Sequence, residues 1–195
     1  GVFPASFLQR IALLVCLFVL TACHPVSPPI PPPVVTSEIT PTIPPEALPT
    51  MNNLIPKPVS ANPTGGVFSL TASSLIIVQP DSEEVAAIGQ YLVDRLNPAT
   101  GFGIQVQTGA ASMGNISLAL GDDPALGDEG YQLTITSDHI TLTAPQPAGL
   151  FWGVQTLRQL LPPANESATP QHGPWTVPTG EIRDPPRNAW RGGLL

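Results

Sequence analysis

Between residues 75 and 161 the apolar positions follow two rhythms, and each rhythm predicts a different element. Leu75-Ile76-Ile77-Val78 is a short, mostly β-branched run between serine and proline, and it predicts a strand. Beyond it Val85, Ile88, Gly89, Leu92 and Leu96 recur at helical spacing and share one face. Asp81 is placed to cap this helix, with Glu84 returning the bond as in a capping box, and Asn97-Pro98 is expected to end it. Strict alternation then takes over. Ile104 and Val106 alternate with Gln105 and Gln107, and Ile116, Leu118 and Leu120 alternate with Ser117 and Ala119. Leu133 and Ile135 alternate with threonines, as do Ile140 and Leu142, and Ser137-Asp138 predicts a tight hairpin between them. A second helix over 148–161 puts Leu150, Val154, Leu157 and Leu161 on one face, and Pro162-Pro163 stops it.

Strands with one apolar face need a cover, and the two helices supply it. The expected fold is α+β in two layers, an antiparallel sheet covered by two helices on one face.

The N-terminus follows a different logic. Ile11 to Leu20 is an apolar run behind Arg10, too short to span a bilayer, which needs about 20 apolar residues. A charged start, a short apolar stretch and small residues after it make an export signal. Leu20-Thr21-Ala22-Cys23 resembles the bacterial lipoprotein signal, and that resemblance implies acylation of Cys23 and a mature chain beginning there. The expected location is therefore outside the cytoplasm, on the periplasmic or cell-surface side of a bacterial membrane. Thirteen of the 26 prolines lie between Pro25 and Pro63, so residues 23–53 read as an extended polyproline tether that cannot bury a core.

Charge and composition exclude several classes of function. With seven basic and fourteen acidic side chains, the net charge of −7 lacks the clustered cations that nucleic acid requires. Lys57 is the only lysine. Both cysteines, Cys16 and Cys23, belong to the N-terminal run, so the folded part has neither disulfides nor thiolate metal sites. His24, His139 and His172 lie far apart and do not have zinc-ligand spacing. The acidic group Asp122, Asp123, Asp128 and Glu129 does not match a calcium loop and reads as a solvated connection between strands. No metal, cofactor or catalytic constellation is expected in residues 54–183, which read as a packing or binding module.

Three stretches carry a family resemblance: LGDEGYQLTI at 126–135, GLFWGVQTLRQLL at 149–161 and EIRDPPRNAWRGGLL at 181–195. Together they resemble the front of glycoside hydrolase family 20, the β-N-acetylhexosaminidases, whose small α+β domain precedes a catalytic (β/α)8 barrel. The implied organisation is a lipoprotein signal at 1–22, the tether at 23–53, the α+β domain at 54–183 and the first strand of a truncated barrel at 184–195. In the family, the arginine of the WRG motif hydrogen-bonds hydroxyls of the terminal sugar, and Arg191 is the matching residue. A guanidinium suits that task because its fixed fork of donors can engage two neighbouring hydroxyls. Asn188 stands where the family often has an aromatic residue. The family's aspartate–glutamate pair would lie beyond Leu195, so the chain itself is expected to be inactive. What the resemblance implies for the whole protein is removal of terminal β-linked GlcNAc or GalNAc from an oligosaccharide or glycan, without a cofactor. The alternatives are a lipid-anchored accessory module that binds saccharide or protein without catalysis, and another glycosidase sharing the α+β domain, such as an α-glucuronidase.

Overall fold

A computed structural model of the chain describes residues 50–186. The order of elements is β1 (Ser60–Ser69), β2 (Ile76–Gln79), helix α1 (Glu83–Thr100), β3 (Val106–Thr108), β4 (Ile116–Leu120), β5 (Tyr131–Ile135), β6 (Ile140–Ala144), helix α2 (Pro147–Leu160) and β7 (Thr176–Asp184). The seven strands form one sheet in the order β1-β7-β5-β6-β4-β2-β3.

Register explains why the sheet has one apolar face. Ile182, Leu133, Leu142, Leu118 and Val78 face one another in a row across five strands. A second row runs Ile135, Ile140, Ile116, Ile76 and Val106. Between these rows lies a polar one, Glu181, Thr134, Thr141 and Ser117, on the opposite face, and Arg183, Gln132 and Thr143 flank the first row on that same face. Both helices cover the apolar face. A methyl on Gly89 of α1 would lie 3.0 Å from the Val78 side chain, and one on Gly153 of α2 would meet the end of Leu142. Glycine at each contact lets the helix approach the sheet closely. Val85, Leu92, Leu96, Leu150, Val154 and Leu157 are fully buried beneath them, as the helical spacing predicts.

The sheet is mixed rather than antiparallel. The pairs β2–β3, β2–β4 and β4–β6 run parallel, while β1–β7, β5–β7 and β5–β6 are antiparallel. Alternation tells which face a residue takes but not the direction of its strand. Here α1 carries the chain back across the sheet before β3, which makes that connection a parallel crossover. Likewise the β5–β6 hairpin swings past β4, so that β6 slots in beside it. The hairpin turn is the expected one: Thr136 N–H donates to the His139 carbonyl at 3.0 Å, and Thr136 Oγ1 accepts from both Asp138 N–H and His139 N–H.

Other expectations need local correction. Ser82, not Asp81, caps α1: its hydroxyl accepts from Val85 N–H at 3.2 Å. Asp81 instead accepts from the Thr108 hydroxyl. Helix α1 also continues through Pro98 and ends at Gly101, in the left-handed conformation (φ 68°). Proline deletes only one hydrogen bond there, close to an end where carbonyls are already short of partners. Neighbouring side chains secure the helix end. Thr100 Oγ1 donates to the Leu96 carbonyl at 2.9 Å, and the Asn97 side chain bonds both the N–H (2.8 Å) and the carbonyl (3.0 Å) of Ile104. The folded part also reaches back beyond Leu54: Met51, in a 3-10 turn over Met51–Asn53, is 2% exposed and packs beside Gly180.

On the outward side of the helices, Phe151 and Trp152 are 37% and 42% exposed and stack edge to face, with Tyr91 tilted against Phe151.

Replacing Asn97 by alanine leaves both Ile104 backbone groups without their partner. Urea denaturation should register a loss of about 1–3 kcal/mol, and Asn97→Asp, which keeps the acceptor, should lose less.

Candidate functional site

The two residues singled out by the sequence, Cys23 and Arg191, lie outside the described residues. What the structure describes is the platform from which the chain departs toward Arg191, at the end of β7. Asp184 pairs with Tyr131 in the sheet register, and its carboxylate accepts from Val59 N–H at 3.0 Å. One residue earlier, Arg183 Nη1 lies 2.6 Å from Asp123 Oδ2 and donates to Gln132 Oε1 at 3.1 Å. Gln132 in turn donates to Glu181 at 2.8 Å. A polar chain Asp123–Arg183–Gln132–Glu181 therefore runs over the sheet face that the helices leave open.

Asp123 has a second task. Its Oδ1 accepts from Ala125 N–H at 3.0 Å and so caps the 3-10 turn Pro124–Leu126. The expected solvated loop is thus partly ordered by this cap and ion pair. Hydrogen bonding from Arg183, then from the Ala125 N–H, holds the Asp123 carboxyl below its ordinary value of 3.8, against a small opposing effect of desolvation. The same partner holds the Arg183 guanidinium in its charged form.

Past Asp184 the chain continues as Pro185-Pro186, lying against the loop 127–130. A methyl on Gly130 would come within 3.0 Å of Pro185 Cα, and one on Gly127 within 3.5 Å of Pro186 Cγ. Gly149, in the first turn of α2, touches the Gly130 carbonyl so closely that no side chain fits between them.

Among the described residues, no group of three or more His, Cys, Asp or Glu could hold a metal ion. His139 is a turn residue, with its Nδ1 3.4 Å from the Thr136 hydroxyl. Asp122, Asp123, Asp128 and Glu129 are not brought together around a common centre. The contacts of this region anchor the end of β7 and fix its backbone direction. Sequence reasoning missed the role of Arg183 and of the glycines, because an ion pair and a backbone contact between distant segments leave no local pattern.

The sequence pattern of glycosyl hydrolase family 20, domain 2, matches residues 51–185. A β-N-acetylhexosaminidase of Cellulomonas fimi is 34% identical over 143 residues, which are 71% of this chain and 27% of that protein. A β-hexosaminidase of Porphyromonas gingivalis is 33% identical over 145 residues, 73% of this chain and 18% of that protein. Among solved structures, the Streptomyces plicatus N-acetyl-β-hexosaminidase in complex with thio-NAglucal superposes with a TM-score of 0.67 at 48% identity, covering 72% of this chain and 28% of that one. The chain belongs to glycoside hydrolase family 20. It spans roughly a fifth to a quarter of the length of these relatives.

Because Asp123 is shifted downward, its contribution to stability is present above the unfolded carboxyl's value and is lost as pH falls through the lowered one. An NMR titration should place the Asp123 midpoint below 3.8, and Arg183→Gln should bring it back toward that value. A midpoint that Arg183→Gln leaves in place would sever the link between the two residues.

Proposed function

We propose that this chain is the N-terminal part of an exo-acting β-N-acetylhexosaminidase that hydrolyses terminal β-linked GlcNAc or GalNAc by substrate-assisted, retaining catalysis. The observation that carries the reading is the match of residues 51–185 to the family's α+β domain, followed at once by the WRGGLL stretch. In such a reaction a carboxylic acid protonates the leaving oxygen, and the substrate's own 2-acetamido group attacks the anomeric carbon in place of an enzyme carboxylate. Those catalytic groups belong to a barrel that would follow Leu195. What this chain would contribute is Arg191, as donor to hydroxyls of the terminal sugar. Exposed Phe151 and Trp152, beside the partly buried Tyr91, suit a domain that the rest of a longer protein covers.

The test uses the full-length protein and a chromogenic β-N-acetylglucosaminide. The full-length protein should turn it over, whereas the 195-residue chain should not. Arg191→Lys should lower kcat/KM roughly 10- to 100-fold, the worth of a charge-assisted hydrogen bond. An inert full-length protein, or turnover by the short chain, would overturn the reading.

Cys23 is the proposed lipid attachment site, with residues 24–49 as the tether between membrane and domain. Support comes from the apolar run ending in Leu-Thr-Ala-Cys and from the proline density behind it. No helix among the described residues is long and apolar enough to cross a membrane. Mass spectrometry of the protein from a bacterial membrane fraction should find Cys23 at the N-terminus with acyl chains attached. A free Cys23 thiol there rules lipidation out.

A further inference from the structure

The geometry points to an accessory saccharide site: a neutral pocket that takes one pyranose ring, at the start of β7 and so at the opposite end of that strand from Asp184. The inference goes beyond the proposed hydrolysis and does not depend on Arg191.

The pocket lies where three segments meet. They are the end of β1 at Ser69 and Leu70, the turn after α1 at Phe102, and residues 171–176 leading into β7. Its volume of about 350 Å³ falls within the range of small-ligand sites, roughly 300–1,000 Å³. Each wall is held from behind. Leu70 N–H donates to the Trp175 carbonyl at 2.9 Å, and Gln171 N–H donates to the Ala99 carbonyl at 2.7 Å. Phe102 N–H donates to Thr100 Oγ1 at 3.3 Å, close to Ile104, whose backbone the Asn97 side chain clamps. The walls are therefore in place before any ligand arrives.

Their chemistry selects the ligand. No carboxylate, lysine or arginine is among the described residues that line the pocket, and His172 is its one titratable side chain. A neutral ligand is implied, because an ion would find no opposite charge to offset the loss of its water. Half-buried Phe102 and Pro174 give the pocket an apolar wall. Trp175 is 5% exposed, yet among the described residues its Nε1–H makes no hydrogen bond. A buried indole usually finds an acceptor for that group. Gly173 keeps this edge of the ring accessible: a methyl there would lie 3.1 Å from Trp175 Cδ1 and 3.5 Å from Nε1. Gln171 supplies the complement. Its Nε2 donates to Ser167 Oγ at 3.0 Å and to the Thr169 carbonyl at 3.1 Å, which orients the amide and leaves Oε1 as an acceptor. A donor, an acceptor and an apolar wall without charge match a sugar ring, whose C–H faces are apolar and whose hydroxyls both donate and accept.

The experiment uses the 195-residue chain, because the catalytic groups proposed for the whole protein would lie beyond Leu195. The probe is the β-1,4-linked GlcNAc disaccharide, followed through the indole N–H signals by NMR, with Trp175 assigned by sequential correlation. Titration should move the Trp175 signal saturably, with a Kd in the millimolar range, while the Trp152 signal stays in place. Gly173→Ala sets a methyl against the donor edge and should weaken binding at least about tenfold, as should Phe102→Ala. Should Phe102→Ala fail to fold, Gly173→Ala carries the test alone, since it removes no side chain. A Trp175 signal that stays in place up to the solubility of the sugar overturns the site. So does a shift that glycerol reproduces, or one that Gly173→Ala leaves intact, because either would mean a solvent-filled notch. The hydrolase reading is judged separately: an inert full-length protein whose Trp175 signal still responds loses the glycosidase activity and keeps the site.

Discussion

Everything in this domain depends on β7 being hydrogen-bonded along both of its edges. It is the last strand among the described residues and the second in the sheet, with β1 on one side and β5 on the other. β1 reaches the sheet through β7 alone. Ile182 of β7 completes the apolar row that crosses to Val78, so the strand joins the core as well as the ladder. Its position requires compromises from β1. Between Pro63 and Val67 the register slips, and Thr179 fills the gap, its hydroxyl accepting from Gly66 N–H and from the Thr64 hydroxyl at 2.8 Å each. A bulged outer strand carrying Pro63 is also poorly suited to pairing with another sheet, which protects the edge.

The helix layer is held together by polar as well as apolar contacts. Arg158 of α2 donates to the Tyr91 hydroxyl of α1 at 2.8 Å and to both carboxylate oxygens of Glu166 at 2.7 Å. Tyr131, at the start of β5, shares a 2.5 Å hydrogen bond with Thr156 of α2. These links fix α2 against both the neighbouring helix and the sheet. The first turn of α2, with Gly149, is therefore a stable surface against which Gly130 rests, and Gly130 in turn meets Pro185.

How much could be read beforehand divides along physical lines. The two helices and the β5–β6 hairpin were legible because Leu92, Leu96, Leu150 and Leu157, or Leu133 and Leu142, repeat with the period of the element they belong to. β1 and β7 were not. Pro63, Gly65 and Gly66 interrupt one, while Pro178 and Gly180 interrupt the other, and in isolation both resemble loops. Gly180 makes sense only beside Met51, whose side chain occupies the space a methyl there would need. Strand direction was equally invisible, since Ile116 and Leu118 alternate in the same way in a parallel or an antiparallel pair. Of the candidate site, Arg191 came from the family resemblance. The approach of Gly130 to Pro185 could not be foreseen, because a glycine announces a turn and not a contact with a distant backbone.

The place of β7 in the sheet sets order of synthesis against order of assembly. Ser60 pairs with Arg183 across 123 positions of sequence, so the first of the described strands waits for the last of them. Until β7 has joined the sheet, β1 lacks a partner and one edge of β5 stands open. Long-range closure of this kind is slow and leaves strand edges exposed meanwhile. The domain is therefore most vulnerable to misassembly until β7 docks between β1 and β5.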